Sequence, residues 1–232
     1  MALSPAQQVQ QRKRAALAAA AAAPTQTMAN ATVYEQHLAK LQHDHLRLKS
    51  VQSEKAKGLL KAQLLPTYDP YIDGVLSAGK GAQDDVITTL MIWTLDAANY
   101  GRALDIAEYI LASDMKLPDR FSRTPATLVA EEVANAALSA LKADEQFDVE
   151  ILLRTLALTA KHDMPDQVRA KLHLAIGRAV RISNDDTNIA ALELAKDHLA
   201  TAIKLHDSCG GKKDLEKTES LLKKHAAPPA AT

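Results

Sequence analysis

The chain has 232 residues, 47% of them apolar but only eight aromatic (Phe 2, Trp 1, Tyr 5), which is enough for one good-sized domain with appendages or two small ones. Alanine and leucine dominate, favouring closely packed helices over a β-sandwich, and the single cysteine, Cys209, excludes a disulfide framework and a cysteine-based zinc site. The net charge of zero hides a strong asymmetry: residues 1–61 carry nine Lys/Arg against three Asp/Glu, residues 62–209 fourteen against twenty-two, and residues 210–232 five against three.

Residues 1–29 read as a mobile basic arm. Ser4 is placed to cap a helix that has Pro5 at its first position, Arg12, Lys13 and Arg14 within it, and Pro24 as its stop. With almost no large apolar side chain, this arm is expected to stay unpacked until it meets a partner. Its alanine run, Ala15 to Ala23, is too short and weakly apolar for a membrane span, which needs roughly 20 strongly apolar residues. The expectation is a soluble cytoplasmic protein.

Residues 30–61 carry the longest uninterrupted helical pattern. Tyr34, Leu38, Leu41, His45, Leu48, Val51 (or Gln52), Lys55 and Leu59 follow one another at spacings of three and four. Such a narrow stripe predicts pairing with another long helix or a second chain, with Lys40, Arg47, Lys49, Lys57 and Lys61 lying away from it. A break over 62–82, rich in Pro and Gly, then leads into a helical core domain spanning 62–207. Asp84 and Asp85 open an almost wholly apolar helix containing Trp93. Further helices are predicted over Asn99–Ser113, Pro125–Lys142, Val149–His162, Pro165–Arg181 and Ile189–Leu205. Residues 208–232 read as a linker, a short charged helix over Lys212–His225 and a disordered end. The fold class is all-α: a basic N-terminal arm and a long coiled-coil-like helix, followed by a bundle of packed helical hairpins.

A metal-dependent nuclease needs two or more carboxylates around cations about 4 Å apart. Asp84, Asp85 and Asp96 are weak candidates for that role, with Asp69, Asp73, Glu131 and Glu132 behind them. Each has an ordinary structural use as well: first-turn acid, turn residue or ion-pair partner. His37, His43 and His45 do not share a face and read as part of the basic surface or as solvated positions. Gly79-Lys80-Gly81 lacks the spacing of a phosphate-cradling loop, so no nucleotide or other cofactor is called for. What remains is charge. Arg12, Lys13, Arg14, Arg47, Lys49, Lys55, Lys57 and Lys61 are the candidate DNA-binding residues, each able to add a salt-dependent phosphate contact.

Several unusual segments occur in a telling order: Ser4-Pro5-Ala6-Gln7, Leu65-Pro66-x-Tyr68, Asp73-Gly74-Val75-Leu76, Gly79 and Gly81 before Asp84-Asp85, Trp93, Pro118-Asp119-Arg120-Phe121 and Asp163-Met164-Pro165-Asp166-Gln167-Val168-Arg169. Over roughly residues 1–205 the chain resembles the small terminase subunit, also called the terminase endonuclease subunit, of peduovirus-type cohesive-end tailed phages. That resemblance implies DNA packaging in the host cytoplasm, with three partners: double-stranded viral DNA at the cohesive-end site, a large ATPase and nuclease subunit, and further copies of itself in a ring-like homo-oligomer. The less family-like tail, Gly210 to Thr232, is expected to dock the large subunit. Two other readings stay open: an endonuclease subunit that itself cuts the cohesive-end site with a metal, and a helical adaptor that binds only protein.

Overall fold

The computed structural model describes residues 4–21, 32–118 and 122–226, and its regular structure there is helical throughout. The stop expected at Pro24, the Asp119-Arg120-Phe121 segment and the disordered end expected beyond Ala226 lie outside the described residues. The chain divides into two compact units, Met1–Pro125 and Ala126–Thr232. Among the described residues, no helix is long and apolar enough to cross a membrane.

The first unit is organised around α5 (Asp85–Asp96), whose residues Val86, Ile87, Leu90, Met91, Trp93 and Leu95 are all buried. An all-round apolar helix has no solvent face and must sit among neighbours. These are α2 (Thr32–Lys49), α3 (Glu54–Leu64) and α6 (Tyr100–Ala112). Asp84 caps α5: its Oδ1 accepts from the backbone N–H groups of Val86 and Ile87 at 2.9 and 3.0 Å.

Three features of this unit depart from the sequence expectations, each for a local reason. The pattern over 30–61 is two helices. Ser50 Oγ donates to the Arg47 carbonyl at 2.7 Å, and Ser53 caps α3 by accepting from Ala56 N–H at 3.3 Å. Serine side chains that bond the local backbone compete with helix continuation. Second, the Pro/Gly-rich stretch contains α4 (Asp69–Ser77), entered through a 3-10 turn at Leu65–Thr67. Pro70 stands in the first turn, where no N–H is required of it.

Third, the basic arm is α1 (Pro5–Ala21), seated on α4. It starts as the capping pattern predicts: Ser4 N–H donates to Gln7 Oε1 at 2.8 Å, and Gln7 N–H to Ser4 Oγ at 3.3 Å. Small residues replace the large apolar ones that the arm lacks. A Cβ on Gly74 would fall 2.4 Å from the Arg12 carbonyl oxygen and 2.7 Å from Ala15 Cβ, so the two backbones meet because Gly74 has none. Ala15 is fully buried.

In the second unit, α7 (Pro125–Lys142), α8 (Val149–Thr159), α9 (Asp166–Ser183), α10 (Ile189–Leu205) and α11 (Lys212–Ala226) follow the predicted boundaries closely. The α9–α10 approach is tight. A Cβ on Gly177 would stand 2.7 Å from Leu199 Cγ and 3.1 Å from the Ala195 carbonyl oxygen. Leu174, Leu199 and Ala202 form the centre, with Leu138, Cys209 and Leu215 packed against them. The charged helix α11 is therefore packed, with Thr218 buried and Asp214 accepting from Arg178 Nε at 2.7 Å.

Candidate nucleic-acid interface

All eight candidate DNA-binding cations belong to the first unit. They divide by what their side chains already touch. Arg12 Nη2 donates to Asp73 Oδ2 at 2.9 Å, and the same carboxylate is paired with Arg102 through its other oxygen. Arg47 Nη1 donates to Asp44 Oδ1 at 3.0 Å. Lys57 pairs with Glu54 at 2.6 Å, and Lys61 with Asp96 at 2.5 Å. Lys13, Arg14, Lys49 and Lys55 are exposed, and none forms a described ion pair. Lys49 and Lys55 flank the connection between α2 and α3, while Lys13 and Arg14 lie on the solvent side of α1.

The anchor beneath Arg47 is a polar network that the sequence reading did not find. The buried stripe of α2 is Tyr34, His37, Leu41, Asp44 and Leu48, so His37 and Asp44 are buried where Leu38 and His45 were expected, and those two are only half-buried. The stripe packs within its own unit. Asp44, whose side chain is 4% exposed, accepts from Lys40 Nζ at 3.0 Å, from Arg47 and from the Tyr68 hydroxyl at 2.8 Å. Burial pushes its pKa up, but the hydrogen bonds from Lys40 and Tyr68 and the nearby positive charge outweigh that and hold it below the usual carboxylate range. Lys40 also lies over the Tyr68 ring, 3.4 Å from its centroid. The signal was present in the sequence: Lys40, Asp44 and Arg47 stand at helical ion-pair spacings.

The histidines of this helix are not the solvated set that the sequence reading expected. His37 is buried and stacks on Tyr71 with centroids 4.3 Å apart, and its Nδ1 lies 2.8 Å from the Val33 carbonyl oxygen. Gln11 of α1 reaches its Nε2 at 3.4 Å, so His37 also ties α1 to α2. Burial lowers its pKa and favours the neutral ring. His45 meets the edge of Trp93 at 5.2 Å, and only His43 faces solvent.

Asp84, Asp85 and Asp96, the first candidates for metal chemistry, do not converge. Asp84 is fully buried and accepts from the Tyr71 hydroxyl at 2.5 Å as well as from its two cap N–H groups. Burial, the largest influence, raises its pKa to about 6 against those hydrogen bonds. Asp85 accepts from Gln83 at 2.9 Å. Asp96 ends the same helix, eleven residues beyond Asp85, which at the α-helical rise is about 16 Å away and too far to share a metal pair about 4 Å across. Among the described residues, no group of three or more His, Cys, Asp or Glu comes together in a way that could hold a metal ion.

Residues 38–167 match the family described as phage small terminase subunit. A relative, the terminase endonuclease subunit of Escherichia phage P2, is 44% identical over 225 residues, covering 97% of this chain and 88% of that protein. No solved structure matches the chain.

Proposed function

Because the chain belongs to the phage small terminase subunit family, we propose that it binds double-stranded viral DNA at the cohesive-end site and presents it to a separate large subunit carrying the ATPase and nuclease. It does so in the host cytoplasm, as a ring-like homo-oligomer. The observation that carries this reading is the set of exposed cations on a basic front: Lys13, Arg14, Lys49 and Lys55 have no acidic partner among the described residues. They are the primary phosphate contacts. Arg12, Arg47, Lys57 and Lys61 contribute to the extent that phosphate displaces Asp73, Asp44, Glu54 and Asp96. Reversing the charge of Lys13, Arg14, Lys49 and Lys55 together should weaken binding to a cohesive-end duplex by at least about a hundredfold at low salt. Unchanged affinity would overturn the assignment.

The relative's printed name supports a second reading, in which the subunit itself cuts DNA. The placement of Asp84, Asp85 and Asp96 argues against a shared metal pair among them. Incubating the purified chain with magnesium and cohesive-end DNA, without the large subunit, separates the two. Cleavage that disappears in Asp85→Ala or Asp96→Ala would establish the endonuclease reading.

A further inference from the structure

Of the carboxylates that engage candidate DNA-binding cations, Asp44 stands apart. Its side chain is 4% exposed, against 33% for Asp73, 84% for Glu54 and 39% for Asp96. The shallow ones can turn toward water when a phosphate arrives. Asp44 cannot. The Tyr68 hydroxyl, carried by a fully buried residue, donates to the same Oδ2 as Lys40 and would be left without its described acceptor. The carboxylate is therefore divided, with Oδ2 serving Lys40 and Tyr68 and Oδ1 serving Arg47.

The two cations around it are used differently. The Lys40 ammonium donates to Asp44 Oδ2 at 3.0 Å and to Thr67 Oγ1 at 2.7 Å, and lies 3.4 Å from the centroid of the Tyr68 ring. Engaged on these sides, it cancels the charge of Asp44. Arg47 is half spent: its described side-chain hydrogen bond runs from Nη1 to Asp44 Oδ1 at 3.0 Å, and the side chain is 49% exposed. A guanidinium has five donors in a rigid fork, so most of them remain for a second acceptor while the first fixes the direction of the group. The Lys40–Asp44–Arg47 group thus carries one net positive charge, and Arg47 presents it two residues before the exposed Lys49.

We propose that Asp44 is a positioning residue for nucleic acid binding, holding the Arg47 guanidinium toward a DNA phosphate and staying in place when that phosphate binds. This inference rests on the DNA-binding reading above and sharpens it at Arg47, which contributes with its carboxylate still attached. Charge counting predicts the opposite sign. Deleting a carboxylate several ångströms from a phosphate favours binding by about twofold in a water-like medium. Releasing a rotamer-rich side chain that must be ordered again on binding costs about twofold to tenfold, and an uncompensated Lys40 repels Arg47 in addition. Removing this acid from the basic front should therefore weaken its hold on DNA.

The test measures the affinity of full-length protein for a cohesive-end duplex at about 50 mM salt, in wild type, Asp44→Asn, Arg47→Ala and the double variant. Asp44→Asn should weaken binding at least about threefold in the wild-type background. In the Arg47→Ala background, where no guanidinium is left to position, the same change should leave affinity unchanged or raise it about twofold. Arg47→Lys, an exposed change that keeps the charge, should also weaken binding about threefold, because one compact ammonium cannot span carboxylate and phosphate. That variant keeps the test decisive should Asp44→Asn fail to fold. Equal weakening by Asp44→Asn in both backgrounds would assign Asp44 to the fold alone and overturn the proposal. Tighter binding by Asp44→Asn in the wild-type background, or an Arg47→Lys variant that binds like wild type, would overturn it as well. A wild type with no affinity for the duplex would instead overturn the DNA-binding reading, and this inference with it.

Discussion

Gly74→Ala tests how the basic helix α1 is held to the body. The added Cβ would lie 2.4 Å from the Arg12 carbonyl oxygen, 2.7 Å from Ala15 Cβ and 3.2 Å from the Ala16 nitrogen. Two of these atoms are backbone, so no rotamer change relieves the clash. Ordinary contacts of this kind lie near about 3.5 Å, so α1 must retreat by about 1 Å. Overpacking against fixed neighbours costs about 1–3 kcal/mol, while alanine in a helix interior recovers about 1 kcal/mol for α4. Little opposes the retreat. The solvent-facing Arg12–Asp73 pair, with Arg12 55% exposed, contributes about 0–1 kcal/mol. The Gln11–His37 hydrogen bond adds about 1 kcal/mol, and the buried Ala15 methyl about 0.8 kcal/mol. These sum to about 2–3 kcal/mol, so a clash of similar size cancels most of what seats α1, and α1 opens away from α4 far more often while α4 keeps its shape. Hydrogen exchange should show α1 amides losing protection while α5 amides keep theirs, and trypsin should cleave faster after Arg12, Lys13 and Arg14. Unchanged exchange in α1 would refute the argument that a missing Cβ is what seats it.

Two further predictions concern pH. Asp84 in the folded protein has a pKa of about 6, above the ordinary carboxylate value of about 4, so the folded state holds the proton more tightly. The stability carried by protonated Asp84 is therefore greatest at low pH and is lost as pH rises from about 4 to about 6, by up to about 3 kcal/mol. Asp84→Asn should remove that slope, and urea midpoints that run parallel to the wild type across this range would contradict it. The His173–His198 pair of the second unit has its Nδ1 atoms 2.9 Å apart, and burial, reinforced by His198 and Arg169, lowers His173 to about 4. Burial lowers His198 as well, despite Asp197 nearby. A histidine depressed below its ordinary value of about 6.5 stabilises the fold above that pH and less so as pH falls toward 4, since the unfolded chain takes the proton first. His173→Gln should reduce the loss of hydrogen-exchange protection in α9 and α10 between pH 7 and pH 5, and an unaltered loss would refute the assignment.

The second unit was nearly transparent in the sequence because its signals are local. Pro125 and Pro165 mark helix starts, Asn188 caps α10 by accepting from Ala191 N–H, and apolar periodicity fills the spans between. The first unit was legible where the signal was equally local, as at Ser4, Asp84 and the apolar run of α5. It was opaque where a residue's role depends on something distant in sequence. Gly74 reads as a helix breaker until α1 lies against it. His37 looks like a solvent position until Tyr71 provides a stacking partner, and nothing near Asp44 in sequence announces the Tyr68 hydroxyl that bonds it. The same limit affects the candidate interface. Charge counting found the basic front, but Asp73 and Asp96, which engage Arg12 and Lys61, stand on other helices that periodicity cannot pair with those cations.

The central claim, that exposed cations of the first unit contact DNA phosphates, is tested most directly by the salt dependence of binding. Affinity for a cohesive-end duplex should be measured between about 50 and about 200 mM salt for the wild type and for a Lys13→Gln, Arg14→Gln, Lys49→Gln, Lys55→Gln variant. Four lost phosphate contacts predict a log–log slope shallower by about 3 to 4 in the variant. Equal slopes for the two proteins would contradict the account.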